Sequence, residues 1–464
     1  MEYFTPPYPK PRKGKISPVN LLIRRLMGGW NSHLDLLPED SYRTNILLIK
    51  LFKLRLFIIN QSDLVKKVLK TNWEDFPKHP IVLGLIRPIL GNGLFSIDGK
   101  QWEHQRRMMD SGFTASRLKD CFPLMSAATI DMVDRFQLHK EGMPVNIDTQ
   151  MMHAATDIIF RALISHPLSQ QDAENIHATI KEFQRCLQRQ RTLSLYRLPT
   201  FYYRRKGKEA AGRIRAILEQ IIEPRYHSYP RGAPQTHPDM LDAFMKARQT
   251  DTGKSFSYEE LVSHIFTLIY AGHDTTATSL IWSLYLIASC PHTQKSLQDE
   301  IDAIKNEQPT FDDIKSLNFT RNVFREALRL YPPAAFIMRK SVKEHCALDE
   351  TIKAGDTILI SPWLIHRHRE QWKDPDLFKP GRFEDPDSKE SIRCSYIPFG
   401  SGPRICIAQM FSYQAAVLVL ATLVRNFEFS PVPGFIVEPV SYSITHSKNG
   451  LKLIMRRRKN KKER

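Results

Sequence analysis

The chain has 464 residues, 42% hydrophobic and 25% charged, which excludes disordered and collagen-like classes and leaves ample length for a large core. Six scattered cysteines (Cys121, Cys186, Cys290, Cys346, Cys394 and Cys406), with no C-x-x-C pair, exclude a disulfide framework or a zinc ribbon and fit a reducing compartment. The net charge of +18 fits a solvated basic surface, or attraction to an acidic protein or an anionic membrane; without zinc-finger spacing or an aromatic-interleaved basic stripe, nucleic acid is not expected.

The opening "MEYFTPPYPKPRKGK" has no signal-peptide core, and no apolar run reaches the ~18–20 residues of a membrane span. The expectation is a cytoplasmic chain. Asn20–Trp30 mixes apolar and basic residues and reads as a packed first helix or as a peripheral membrane contact. "NILLIKLFKLRLFIIN" (Asn45–Asn60) is strand-like. In "DGKQWEHQRR" (Asp98–Arg107), Trp102 and Arg106 share a helical face. They are either two donors for an anionic ligand group or a tryptophan with a stacked arginine. Residues 116–225 are mostly helical by periodicity, and Tyr229–Asp239 is a loop by its Pro and Gly content.

Ser257–Ser289 reads as one long buried helix of about 45 Å, opened by a Ser257/Glu260 capping box and closed by Pro291. Its middle reads Ala271-Gly272-His273-Asp274-Thr275-Thr276. An acid and an alcohol in a buried helix are expensive unless used. Gly272 is expected to open room for a ligand, whereas a threonine hydroxyl can instead bond back to a helix carbonyl. A second helix, Asn318–Leu330, carries Glu326 and Arg329 on one face, and Arg382 of "KPGRF" is placed to complete a buried network. After short strands and a proline-rich loop comes "FGSGPRICIAQ" (Phe399–Gln409), then a helix and further short strands. The basic Arg456–Arg464 is expected to be a disordered tail.

Two glycines, an arginine and a helix start suit a thiolate at Cys406, stabilised by free backbone N–H groups. A buried structural cysteine fits the same residue taken alone. A metal scaffold of His366, His368, Cys394 and Cys406 lacks ligand spacing, and "HRHRE" reads as a surface turn.

In this order and spacing, the Trp102–Arg106, Asp274–Thr275, Glu326–Arg329 and Cys406 elements resemble the cytochrome P-450 family of haem-thiolate monooxygenases. The resemblance implies a fold that is mainly α with a smaller β-rich side, as one haem domain over residues 1–455. A long central helix would lie over a buried haem b. It implies Cys406 as the ligand of haem iron, and Trp102, Arg106, Arg339 and Arg404 as donors to the haem propionates. Phe399 would pack beside the proximal ring, and Asp274 and Thr275 would be the acid–alcohol pair that delivers protons during oxygen activation. Glu326, Arg329 and Arg382 would be structural.

Three positions qualify this picture. Ala408 stands where the family usually has glycine, and Gly381 replaces the usual acid of its P-x-R-F element. Ala271 occupies the place of a glutamate that some fatty-acid ω-hydroxylases esterify to haem, so the haem is expected to be non-covalent apart from the Cys–Fe bond. The implied activity is hydroxylation of a lipophilic or aromatic small molecule. Electrons would come from NAD(P)H through a separate acidic ferredoxin, flavodoxin-like protein or flavin reductase, drawn to Lys100, Arg106 and Arg107. Oxidative coupling, desaturation or isomerisation without oxygen insertion is the alternative, and a non-catalytic haem sensor is a further one. Expected walls of the substrate site are Pro80–Ile89, Ile269, Tyr270, Ala334–Ile337 and Val440–Ile444.

Overall fold

The computed structural model describes residues 4–9, 32–51, 54–195, 198–228 and 237–458. Asn20–Trp30, most of the Tyr229–Asp239 loop and residues 459–464 lie outside them. The strand-like stretch near the N-terminus is a hairpin. Strands β1 (Ile46–Leu51) and β2 (Leu54–Ile59) pair antiparallel, with Ile46 opposite Ile59. Short helices α1 (Pro80–Leu90) and α2 (Gly99–Asp110) lead into the helical body: α3 (Phe122–Gln137), strand β3 (Pro144–Asn146), α4 (Ile147–Ile164), α5 (Gln170–Leu195) and α6 (Phe201–Ser228).

Helix α7 (Tyr258–Ala288) has 31 residues and so runs about 46 Å. Its N-terminus carries the expected capping box: Glu260 N–H donates to Ser257 Oγ at 3.3 Å and Ser257 N–H donates to Glu260 Oε2 at 2.9 Å. The helix is buried along nearly its whole length because it packs on α4 and α6 and, further along, on α8 (Asn318–Leu330). Strands β4 (Ile337–Lys340) and β5 (Thr357–Ile360) return the chain to the hairpin, giving a four-stranded sheet of order β1-β2-β5-β4. Helix α9 (Gln409–Asn426), strand β6 (Phe427–Pro431) and strand β7 (Lys452–Arg457) complete the chain, with β7 between β3 and β6. One apolar core runs from Leu34 to Met455 through all the long helices, and a smaller one lies under the β1-β2-β5-β4 sheet.

Two expectations change. The basic tail does not begin at Arg456: β7 continues through Arg457, and Arg458 Nη2 pairs with Asp302 Oδ2 at 2.9 Å. The "HRHRE" stretch is not a surface turn, because a short helix at Pro362–Ile365 turns it inward. His366, Arg367 and His368 are buried there. Ile397 N–H donates to His366 Nε2 at 2.9 Å, and the Arg367 guanidinium sits 3.8 Å over the Trp363 ring, whose face meets the charge.

Candidate functional site: a cysteine turn beneath the long helix

The turn before α9 can be built only with glycine at its tightest point. Gly402 has φ +72°, and a Cβ there would lie 2.0 Å from the Leu69 carbonyl oxygen. Cys406 N–H closes the turn by donating to Phe399 O at 3.0 Å. The Phe399 ring sits 5.3 Å from Tyr413. Cys406 is accessible, yet burial pushes its thiol pKa up, with the Ala408 N–H and Arg106 pulling it back. A group that is both accessible and desolvated faces an internal space rather than bulk water. For the free thiol, desolvation therefore outweighs the helix start, and bonding to a metal ion would ionise it.

The long helix has an opening of its own. Ala271 is exposed in the midst of it, although Ile269 and His273 are fully buried. Gly272 does not open that gap. Its missing side chain lets α4 approach, since a Cβ there would meet Ile159 Cδ1 at 3.0 Å. Thr275 Oγ1 donates to Ala271 O at 2.7 Å. Asp274 turns instead toward α5, where Gln184 Nε2 donates to Oδ2, and His273 Nδ1 lies 3.2 Å from Oδ1. Burial raises the Asp274 carboxyl pKa, but His273, Gln184 and His177 together outweigh it and hold the group well below the usual carboxylate range. The acid and the alcohol are adjacent in sequence and point to different partners.

Beside the cysteine turn, three basic side chains face one carboxylate. Arg404 Nη2 pairs with Asp98 Oδ1 at 2.5 Å and Nη1 donates to Trp73 O at 3.0 Å, while its Nε is buried without a partner. Lys78 Nζ donates to Leu94 O at 2.8 Å and Ile97 O at 2.7 Å, and its own N–H donates to Asp98 Oδ2 at 2.7 Å. Burial first, then Arg404 and Arg339, lower the Lys78 pKa to about 7 against the pull of Asp98. Arg339, on β4, is lowered to about 10 by burial and by Arg404. Two further carboxylates would balance this cluster, which is the charge of the two haem propionates.

Trp102 lies buried in the same place, its ring 5.3 Å from the Arg404 guanidinium and 5.8 Å from Lys78 Nζ. Arg106 does not join the cluster. It donates to Ile405 O at 2.7 Å and to Asp110 Oδ1 at 2.9 Å, tying α2 to the cysteine turn. Lys78 and Asp98 were not singled out from the sequence as site residues. Asp98, as the residue before α2, stood in the quoted motif, but nothing in "PKHP" distinguishes Lys78.

The Glu326 network is closed by comparison. Arg329 holds both carboxylate oxygens at 2.8 Å, and Arg382 Nε and Lys379 N–H reach Oε1 at 3.0 Å. The remaining Arg329 donors go to the carbonyls of His366, Pro375 and Leu377. Among the described residues, the His/Cys/Asp/Glu group close enough to share an ion is His177, His273 and Asp274; His366, His368, Cys394 and Cys406 do not gather.

An accessible, desolvated cysteine beside three half-buried cations that share one carboxylate offers the donor set a thiolate-ligated, dianionic cofactor needs, and haem fits it. The cytochrome P-450 family model matches residues 38–454, and the chain belongs to that family. It is similar to cyclooctat-9-en-7-ol 5-monooxygenase of Streptomyces melanosporofaciens, at 30% identity over 89% of this chain and 88% of the relative. Cyclooctatin synthase of the same organism is 29% identical over 76% of each chain. Taurochenodeoxycholic 6 alpha-hydroxylase of Sus scrofa is 28% identical over 86% of this chain and 82% of the relative. The protein is a P-450 monooxygenase by family. Among the described residues no helix is long and apolar enough to cross a membrane.

Proposed function

We propose that the chain binds haem b through Cys406 and hydroxylates a lipophilic small molecule, with electrons from a separate protein donor. The carrying observation is the uncompensated Lys78–Arg339–Arg404 group beside an accessible, desolvated Cys406. When bound, the haem supplies the redox centre at which dioxygen is activated.

Around it, the chain's own residues divide the work. Arg339, the Arg404 Nε and the Trp102 indole would hold the propionates. The Ala408 N–H and Arg106 temper charge on the Cys406 sulfur. Thr275 holds a proton at Oγ1 over the Ala271 carbonyl, and Asp274, ionised at neutral pH, would serve proton delivery by ordering hydrogen-bond donors on the α5 side rather than by taking up the proton itself. Ala271 leaves the haem edge free of an ester. Half-buried Tyr270, set edge-on to Phe183 at 5.1 Å, supports an apolar substrate, whereas Ile269 is fully buried in the core. The named substrates of the relatives, an unsaturated alcohol and a bile acid, favour a terpenoid-like or steroid-like molecule. Exposed Lys100 and Arg107, on the helix that Arg106 ties to the cysteine turn, suit an acidic ferredoxin, flavodoxin-like protein or flavin reductase; Arg106 is engaged internally and is not part of that surface.

The reduced protein with carbon monoxide should show the red-shifted thiolate band, absent in Cys406→Ala. Fatty acids, terpenoids and phenols screened by spin shift should identify the ligand, and turnover under labelled dioxygen should put one labelled oxygen in the product. A coupled, desaturated or isomerised product without label would replace the hydroxylation reading.

A further inference from the structure

We propose that His177, His273 and Asp274 form a site for a divalent transition-metal ion of the zinc class, between α5 and α7. One donor atom from each residue lies within 4.8 Å of the others. His177 Nδ1 is 3.2 Å from His273 Nε2, and His273 Nδ1 is 3.2 Å from Asp274 Oδ1. A tetrahedral zinc site with ligand bonds near 2.0–2.1 Å has edges of about 3.3 Å; an imidazole binds one ion through one nitrogen, so with His273 Nδ1 as the ligand only the edge to Asp274 Oδ1 already has that size. His177, within 4.8 Å, then closes the set by a side-chain rotation that exchanges its contact with His273 Nε2 for the ion.

Three independent features favour a cation there. Asp274 is a buried carboxylate whose recorded ion-pair contact is a histidine, with no lysine or arginine against it among the described residues; buried charges are paired or bind metals. His273 is fully buried, and its Nδ1, though close to Asp274, is not directed at any hydrogen-bond partner. Gln184 Nε2 donates to the second oxygen of Asp274 and leaves the first for an ion, the outer support that metal-binding carboxylates usually have. His177 is half-buried, so the group is not sealed from solvent on that side.

The consequence rests on the role proposed above for Asp274. An ion held by that carboxylate withdraws it from proton delivery, so zinc should slow turnover without displacing haem.

The test is calorimetric titration of the haem-loaded protein with zinc chloride, beside His177→Ala and Gln184→Leu. Each variant is first checked for the same thiolate carbon monoxide band, so that a folding defect is recognised. The expected result is one zinc ion per chain, bound at least 100-fold more weakly by His177→Ala and about 10–100-fold more weakly by Gln184→Leu. Turnover of the unaltered protein should be inhibited at that same zinc concentration, and that of His177→Ala should not. Equal zinc binding by the unaltered protein and His177→Ala would overturn the site. So would a His177→Ala variant with undiminished zinc affinity that turns over slowly in chelator-treated buffer, a result that would make the histidine pair a proton path. Zinc bound as expected with turnover unchanged would support the site and overturn the role of Asp274 in proton delivery.

Discussion

Two charge clusters, one fully buried around Glu326 and one half-buried around Asp98, are built on opposite plans. Around Glu326, every donor of Arg329 has an acceptor within the protein, and Arg382 completes the set. Around Asp98, three basic groups share one carboxylate, Lys78 is driven to about 7, and Arg404 Nε has no partner. A closed cluster holds the fold by itself. An open one is stable only at some cost, and that cost falls when a dianion arrives. The difference separates structural charge from binding charge without reference to any relative.

The sharpest way to break the contrast is to remove one charge from each side. Glu326→Ala leaves Arg329 and Arg382 buried without a counter-ion and should destabilise the protein by about 3–5 kcal/mol, read by urea unfolding. A loss under 1 kcal/mol would mean that the network is not structural. Arg339→Ala should behave differently. Haem retention should fall about ten- to hundredfold, from loss of a charge-assisted hydrogen bond of about 1.5–3 kcal/mol. The haem-free chain should unfold at the same urea concentration or a higher one, because repulsion with Arg404 is relieved. Equal destabilisation of the haem-free chain would show that the open cluster is structural after all.

Acidity and alkalinity address the same pair more gently. His366, whose Nδ1 lies 3.2 Å from Arg329 O beside the closed network, has its pKa lowered from 6.5 to about 3 by burial and by Arg329. Its unfolded form therefore takes up a proton first as pH falls, and stability is lost progressively below pH 6.5 toward 3. Lys78 is lowered from 10.5 to about 7, so the haem-free chain should gain stability as pH rises from 7 toward 10.5. Haem propionates would restore the charged lysine. Unfolding followed across pH should show both windows in the haem-free chain and only the acid one in the haem-loaded protein. The upper window persisting after loading would place Lys78 away from the cofactor.

The smallest effect is expected at the family departure. Ala408 has φ −91° and stands just before α9, where alanine and glycine are both tolerated. Ala408→Gly should shift stability and the thiolate band by no more than about 1 kcal/mol and a few nanometres. A large change in the band would show that the methyl group shapes the proximal side.

Much of this was legible in the chain because the signals are local. The capping box fixes where α7 starts, continuous apolarity requires its burial, and the spacing of Glu326 and Arg329 puts both on one face of α8. The two glycines before Cys406 likewise announce a turn that other residues would strain. Nothing local told Gly272 from a ligand-facing glycine, since its purpose is set by Ile159 of another helix. The burial of "HRHRE" was equally hidden, because polar residues are paired inside largely by partners that the chain brings from elsewhere, here Ile397 and Arg329 for His366.

By itself, then, the sequence determined the helices and the cysteine turn, each carried by residues within a few positions of one another, and the family, carried by the order of four such short motifs along the chain. Tertiary structure alone decided the direction of charge. Asp98 and Arg404 are 306 residues apart, and Gln184 and Asp274 are 90 apart. Whether a buried ion is satisfied depends on which such groups the fold brings within about 3 Å, a distance that periodicity and spacing along the chain do not encode.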